Sequence, residues 1–213
     1  LSQISVDAVV THFTASKVSA RVLSLPFTDI SKIGPILPGS IEAMVPFDID
    51  DLQIQHRVIN ITEQGSQTLV LLTPNELIED HLDNMEGLGC NPQHVLVDGD
   101  VLSCYATKGI QAHLHFSEKE IACGLYLNGK TLLFRTLRTT SHSLKQLIES
   151  IRRTLIYFED TIQVEIEDIL LSGVGAREIE DDLDSELGVP CHTIVLPNNL
   201  DPKWALAYAL GQK

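Results

Sequence analysis

Apolar and polar residues alternate along 4–13 (ISVDAVVTHF) and 17–25 (KVSARVLSL), both rich in β-branched residues, which predicts two strands joined near Ala15 and Ser16. Pro26 closes the second. Thr28 or Asp29 is placed to cap a helix running to about Met44, with Gly34-Pro35 and Pro38-Gly39 interrupting its middle. Alternation returns in DLQIQHRVIN (51–60), where Leu52, Ile54 and His56 share one face of a strand. After a turn at 64–66, TLVLLT (68–73) is apolar throughout, the pattern of a strand buried on both faces. Pro74 then opens an amphipathic helix, NELIEDHLDNMEGLG, which Gly87 and Gly89 end, and HVLVD (94–98) is another strand.

From Lys17 to Asp98 the predicted order is therefore β-α-β-β-α-β, the plan of a ferredoxin-like subdomain. The second half is built differently. QAHLHF (111–116), IACGLYLN (121–128) and KTLLFRTL (130–137) are three strands, the last two joined by the hairpin signal Asn128-Gly129. A long amphipathic helix follows from Ser141 to about Phe158, with Leu144, Leu147, Ile148, Ile151 and Leu155 on one stripe. Strand DILLS (168–172), an acidic helix from about Arg177 to Leu187, strand HTIVL (192–196) and helix PKWALAYAL (202–210) complete the chain. Three antiparallel strands followed by β/α alternation make one half of a ribonuclease-H-like sheet. The expected division is a ferredoxin-like subdomain with a preceding strand over 1–98 and a ribonuclease-H-like subdomain over 99–213.

Composition narrows the function. A chain of 213 residues with 44% hydrophobic content can bury a core, and its formal charge of −14 leaves no basic stripe to neutralise nucleic-acid phosphates or to meet an acidic membrane surface. Cys90, Cys104, Cys123 and Cys191 form no C-x-x-C pair, which points to reduced thiols in a cytosolic setting rather than a zinc or dithiol site. No apolar run is long enough to span a bilayer. The first residue is Leu1 rather than Met, so a fragment of a longer chain is expected.

Candidate chemistry centres on Ser172-Gly173-Val174-Gly175-Ala176, a glycine turn between strand and helix where free N–H groups attract phosphate. The helix beyond it carries Glu178, Glu180, Asp181, Asp182, Asp184 and Glu186 against Arg177, so its own carboxylates repel a polyphosphate, and no Walker-type lysine or G-x-G-x-x-G run accompanies the turn. A purely structural turn is the expectation. His113 and His115 share a strand face and would need a third ligand to hold a metal; ordinary strand histidines are expected instead. Asp50-Asp51 and Glu79-Asp80 read as solvated charge, Arg135 and Arg138 as surface or salt-bridge residues, and Trp204 as a core or interface anchor. Cys191 and His192 are neighbours on a strand and so face opposite ways, a poor nucleophile–base pair, and no serine occupies a G-x-S-x-G elbow.

The phrases RVLSLPF (21–27), AMVPFDIDDLQIQHRVI (43–59), GLYLNGKTLLFRTL (124–137), ILLSGVGAREIEDDLDSELGVP (169–190) and ALAYALG (205–211), set in these two halves, resemble the actin-like assembly proteins of bacterial secretion and pilus machines. These are the L protein of type II secretion and the M protein of type IV pilus assembly. The resemblance covers nearly the whole chain and implies an α/β, actin-like (ribonuclease-H-like) ATPase fold, here partial, with its ferredoxin-like βαββαβ subdomain. It also implies where nucleotide would bind. The first D-x-G phosphate loop would precede residue 1. The second would fall on LHFSEKE (114–120), where His115, Phe116 and Ser117 stand for the Asp, the apolar residue and the Gly. The adenosine motif keeps Gly173 but places Val174 at its second glycine. Without the Asp nothing organises magnesium, and without the Gly the backbone cannot close on a phosphate.

What the resemblance then implies is a scaffold rather than an enzyme, with no catalytic residue, cofactor or metal. It would be the cytoplasmic part of an inner-membrane platform protein, its single membrane span lying beyond Lys213, that docks the N-terminal domain of the secretion ATPase and couples it to other inner-membrane platform proteins. A homodimer is an expected partner state, a nucleic acid is not, and no motif marks the docking residues. The alternatives are the wholly cytoplasmic pilus M-type protein, which binds ATP and a peptide of its membrane partner, and an active ATPase or kinase of the same fold.

Overall fold

The computed structural model describes residues 8–139 and 143–212; the expected strand start at 4–7 and helix start at 141–142 lie outside them. The chain divides into two compact units, one of Leu1–Phe13 with Lys17–Val95, the other of Thr14–Ser16 with Leu96–Lys213.

In the first unit, β1 (Val10–Phe13) and β2 (Ser19–Leu25) are separated by a single 3₁₀ turn. They do not form a hairpin. β2 pairs instead with β4 (Gly65–Pro74), which pairs on its other side with β3 (Leu52–Thr62), giving an antiparallel sheet of order β2-β4-β3. The central strand is buried along most of its length, as its apolar run predicts. The stretch capped by Asp29, whose carboxylate accepts the Ser31 amide at 3.0 Å, is split by its prolines and glycines into a 3₁₀ turn, helix α1 (Ile33–Ile41) and a second 3₁₀ turn. Ile33, Leu37 and Ile41 on α1 pack over Leu25, Val70 and Leu72 of the sheet. Helix α2 (Asn75–Gly87) and β5 (His94–Val97) follow, completing the β-α-β-β-α-β order, and β5 pairs with β1 in a separate two-stranded sheet. His81 of α2 sets its ring edge-on against Phe13 at 5.4 Å, and its Nε2 lies 3.3 Å from the Thr11 hydroxyl. Burial, with His12 and Lys17 nearby, lowers the His81 pKa.

The second unit opens with a short helix, α3 (Asp98–Val101), that the apolar pattern does not announce. Strands β6 (Ile110–Phe116), β7 (Glu120–Leu127) and β8 (Lys130–Arg138) run antiparallel; β9 (Asp168–Gly173) joins β6 in parallel and β10 (Cys191–Thr193) joins β9 in parallel. The resulting order, β10-β9-β6-β7-β8, is the half ribonuclease-H sheet expected from the element sequence. Asn128 (φ 49°) and Gly129 (φ 79°) make the tight β7–β8 turn in the left-handed conformation that an Asn-Gly pair tolerates.

Helix α4 (Leu144–Ile162) starts on a capping box in which the Ser143 hydroxyl accepts the Gln146 amide while the Gln146 side chain reaches back to the Ser143 amide. It buries Ile148, Ile151, Leu155, Phe158 and Ile162. Helix α5 (Ala176–Leu187) buries Ala176 and Leu183, and α6 (Ala205–Leu210) buries Ala205 and Ala209. Trp204, expected as a core or interface anchor, is not in the core: it is 53% exposed with the Lys203 ammonium 5.7 Å from its ring, because the alanines behind it take the inward positions of the closing helix.

Candidate functional site

β6 and β9 lie side by side with His113 opposite Leu170, His115 opposite Ser172 and Phe116 opposite Gly173. Parallel pairing therefore brings the ends of both strands, and the turns that follow them, together at one edge of the second unit. These are the two segments that the resemblance marks for nucleotide.

The β6–β7 turn is closed on itself. The Ser117 amide and hydroxyl both donate to the Glu120 carbonyl at 2.9 Å, and the Ser117 oxygen accepts the Glu120 amide at 3.2 Å. The Glu120 carboxylate is in turn held by the Thr14 hydroxyl at 2.9 Å and the Ser16 hydroxyl at 3.3 Å. The β9–α5 turn folds onto the same place: Val174 donates its amide to the Phe116 carbonyl at 2.8 Å while its side chain stands 57% exposed. Gly173 has φ +95°, and a Cβ there would sit 2.0 Å from the Phe116 carbonyl oxygen. Its glycine is thus required by strand packing, with no ligand needed to explain it. Gly175, at φ +74°, is the N-cap of α5, where a Cβ would meet only the Glu178 carboxylate at 3.8 Å, and no side chain caps the helix. The first-turn amides of α5 are the remaining anion-attracting feature, and Glu178 sits among them.

Behind the turns, the Ser172 hydroxyl is flanked by His113 Nε2 at 2.7 Å and His115 Nδ1 at 2.8 Å. A hydroxyl has one proton, so Ser172 donates to one imidazole and accepts from the other. His113 and Ser172 are fully buried, and burial first, then the neighbouring His115, pushes the His113 pKa down to about 3 against a smaller opposing effect of the Leu102 backbone. A His–Ser–His cluster with a neutral His113 thus occupies the strand end where an actin-like ATPase of the resembled kind would present its aspartate. Sequence pattern alone gave no pairing for these three; the available signal was that polar residues in strands that read as buried must find one another.

The other candidates separate. Among the described residues no group of three or more His, Cys, Asp or Glu stands close enough to hold a metal ion. Cys191 is buried, its thiol pushed up to about 12 by burial and the Asp184, Asp168 and Glu180 carboxylates, while His192 points outward to Asp168 at 3.6 Å. Cys123 is likewise buried and pushed up to about 12. Arg135 lies over the Tyr157 ring at 5.4 Å, a surface cation–π contact, and Arg138 is exposed. Asp50, Asp51, Glu79 and Asp80 are exposed. No helix among the described residues is long and apolar enough to cross a membrane.

A half ribonuclease-H sheet flanked by α4 and α5, carried with a βαββαβ unit, defines the actin-like ATPase fold. No family model matches the chain, and no curated protein matches it in sequence. Among solved structures it is similar to a chain of the PilM-PilN type IV pilus biogenesis complex, with a TM-score of 0.77 and 17% identity over 95% of this chain and 78% of that one. It is also similar to the cytoplasmic domain of EpsL, an inner membrane component of the type II secretion system of Vibrio cholerae (TM-score 0.53, 12% identity, 95% and 72% covered). A third is a Bacteroides thetaiotaomicron protein with actin-like ATPase fold and unknown function (TM-score 0.52, 9% identity, 97% and 74% covered). At these identities the likeness establishes the fold, and the two named assembly proteins are the pair that the sequence phrases resemble.

Proposed function

We propose that this chain is a non-catalytic actin-fold scaffold at the cytoplasmic face of a bacterial inner-membrane assembly platform of the secretion and pilus class. One observation carries the reading: the turns that would grip nucleotide are spent on each other, with the Ser117 and Val174 amides taken by backbone carbonyls and His115 standing where a magnesium-organising carboxylate belongs. Its partner is the N-terminal domain of the secretion ATPase, whose docking an overall charge of −14 favours if that domain offers a basic face. A single membrane span outside this stretch of chain would anchor it beside the other platform proteins.

Calorimetric titration of the protein with magnesium–ATP, beside a titration with the ATPase's N-terminal domain, tests this. Heat from the protein partner and none from ATP is expected, with affinity that weakens as salt rises. Saturable heat from magnesium–ATP would overturn it.

A second reading, the pilus M-type protein, is favoured by the higher TM-score to the PilM-PilN complex than to EpsL, 0.77 against 0.53. Under it the partner is a short cytoplasmic peptide of a pilus membrane protein. Titration with such a peptide separates the two, since the secretion-type reading expects no binding.

A further inference from the structure

β3 is an outer strand of the β2-β4-β3 sheet and is exposed at most of its eleven residues. Among the described residues nothing pairs with its outer side. Natural edge strands are blunted by a lysine, a proline, a bulge or a covering group. The edge of β10 follows that rule, with the Glu180 and Asp184 carboxylates on its amides. From Leu52 to Val58, β3 does not: it has no lysine or proline there, and its bulge comes only after Val58.

The outward bonds of this edge have a definite phase. Leu52 faces Pro74, which has no amide to donate, so that pair is of the non-bonded kind in the antiparallel ladder. Ile54 and His56, two and four residues on, therefore also turn their N–H and C=O groups away from β4. A second strand can bond here only if its own outward groups meet these.

A second copy of β3 meets them when it runs antiparallel with Ile54 opposite Ile54, which sets Leu52 against His56 and Gln53 against Gln55. The same register sets Asp51, immediately before the strand, against Arg57, once on each side of the two-fold axis. Asp51, Gln53, Gln55 and Arg57 are all exposed. Moving the centre by one residue puts Asp51 against Gln55 or Ile59 instead, so the charges select one register. They also select the strand, since β2 carries Arg21 and β8 carries Lys130, Arg135 and Arg138, neither with a carboxylate to match.

We propose that the chain self-associates through β3, two copies joining their three-stranded sheets into one antiparallel sheet about a two-fold axis at Ile54. This gives the homodimer that the family resemblance implies a specific interface, and it stands independently of the scaffold reading.

Sedimentation velocity of the full chain from about 1 to about 300 µM should show a weak, reversible dimer, as so small an interface implies. Asp51→Arg and Arg57→Asp both lie at exposed sites and change the net charge in opposite directions. Either alone sets like charges together at both ends of the pairing and should weaken the dimer by at least about tenfold. The double variant, and an equimolar mixture of the two single variants, bring opposite charges together again and should return to within about threefold of the parent. Circular dichroism matching the parent shows that each variant is folded. A chain monomeric at every concentration would leave the edge to another protein's strand and overturn self-pairing. Dimers that tolerate the single reversals, or that neither the double variant nor the mixture restores, would overturn it too.

Discussion

The buried His113 makes a quantitative prediction about pH. Its pKa in the folded chain is held down to about 3, against an ordinary value of 6.5, chiefly because no water reaches it. The folded protein therefore keeps it neutral while the unfolded chain binds a proton below 6.5, so the unfolded state carries more protons throughout the window from 6.5 to 3. Stability from this group is fully present above 6.5 and falls as pH drops toward 3. Between pH 7 and pH 5 the loss works out to about 2 kcal/mol, and to about 5 kcal/mol over the whole window. Urea unfolding at both pH values, followed by the fluorescence of Trp204, the single tryptophan, reads the unit that holds His113. The comparison is with His113→Gln, which can still bond Ser172 but does not titrate. Groups remote from His113, His81 included, contribute in both proteins and cancel. The parent should lose about 2 kcal/mol more than the variant on going from pH 7 to pH 5; equal losses would refute a neutral, desolvated His113.

Gly173→Ala should destabilise the fold by about 3–5 kcal/mol, because its Cβ would meet the Phe116 carbonyl at 2.0 Å, while Gly175→Ala, with only an ordinary contact to Glu178 at 3.8 Å, should cost about 1 kcal/mol for its left-handed φ; chemical denaturation of both checks that the first glycine serves packing. Replacing Glu180 and Asp184 by alanine frees the outward amides of Thr193 and Cys191, which they accept at 3.2 and 3.0 Å; a loss of about 1–3 kcal/mol in calorimetry is expected, with concentration-dependent self-association in light scattering as the β10 edge opens. Ser143→Ala should cost about 1 kcal/mol by removing the capping box of α4, measured by thermal melting.

Local signals carried well where local physics decides the outcome. The Asn128-Gly129 turn, the stripe of α4 and the apolar run of β4 each follow from a backbone or burial preference confined to a few neighbouring residues. Pairing over long separations did not carry. β1 and β2 follow one another closely, as predicted, yet β1 pairs with a strand some 80 residues on, a choice made by which sheet each strand completes. The four-residue helix α3 is too short to show a period. Of the site, the missing carboxylate and glycine were legible in LHFSEKE, since they are matters of residue identity. The His113–Ser172–His115 cluster was not, because it depends on the parallel register of β6 against β9.

Under the proposed scaffold reading, that register also accounts for how a nucleotide-binding fold would do without nucleotide. In such a fold the strand-end turns have free amides because a phosphate is there to receive them, and emptying the site leaves donors that must bond elsewhere or remain exposed. Here two of them have a protein acceptor: Val174 bonds back to β6, and Ser117 closes its own turn. Ser172, at the end of β9, is given two imidazoles. Gly173 survives in this arrangement because the two strands approach too closely for a side chain, so a glycine that resembles part of a nucleotide motif is retained by packing alone. The same bonds that close the turns tie β6, β9 and the start of α5 together. Restoring one element, for instance His115→Asp, should therefore loosen the strand ends before it creates any affinity: hydrogen exchange of the Val174 and Ser117 amides should quicken, and magnesium–ATP should still give no heat. Tight magnesium–ATP binding by that single variant would mean that the turns were poised to open and that the protein is closer to an ATPase than the closed geometry implies.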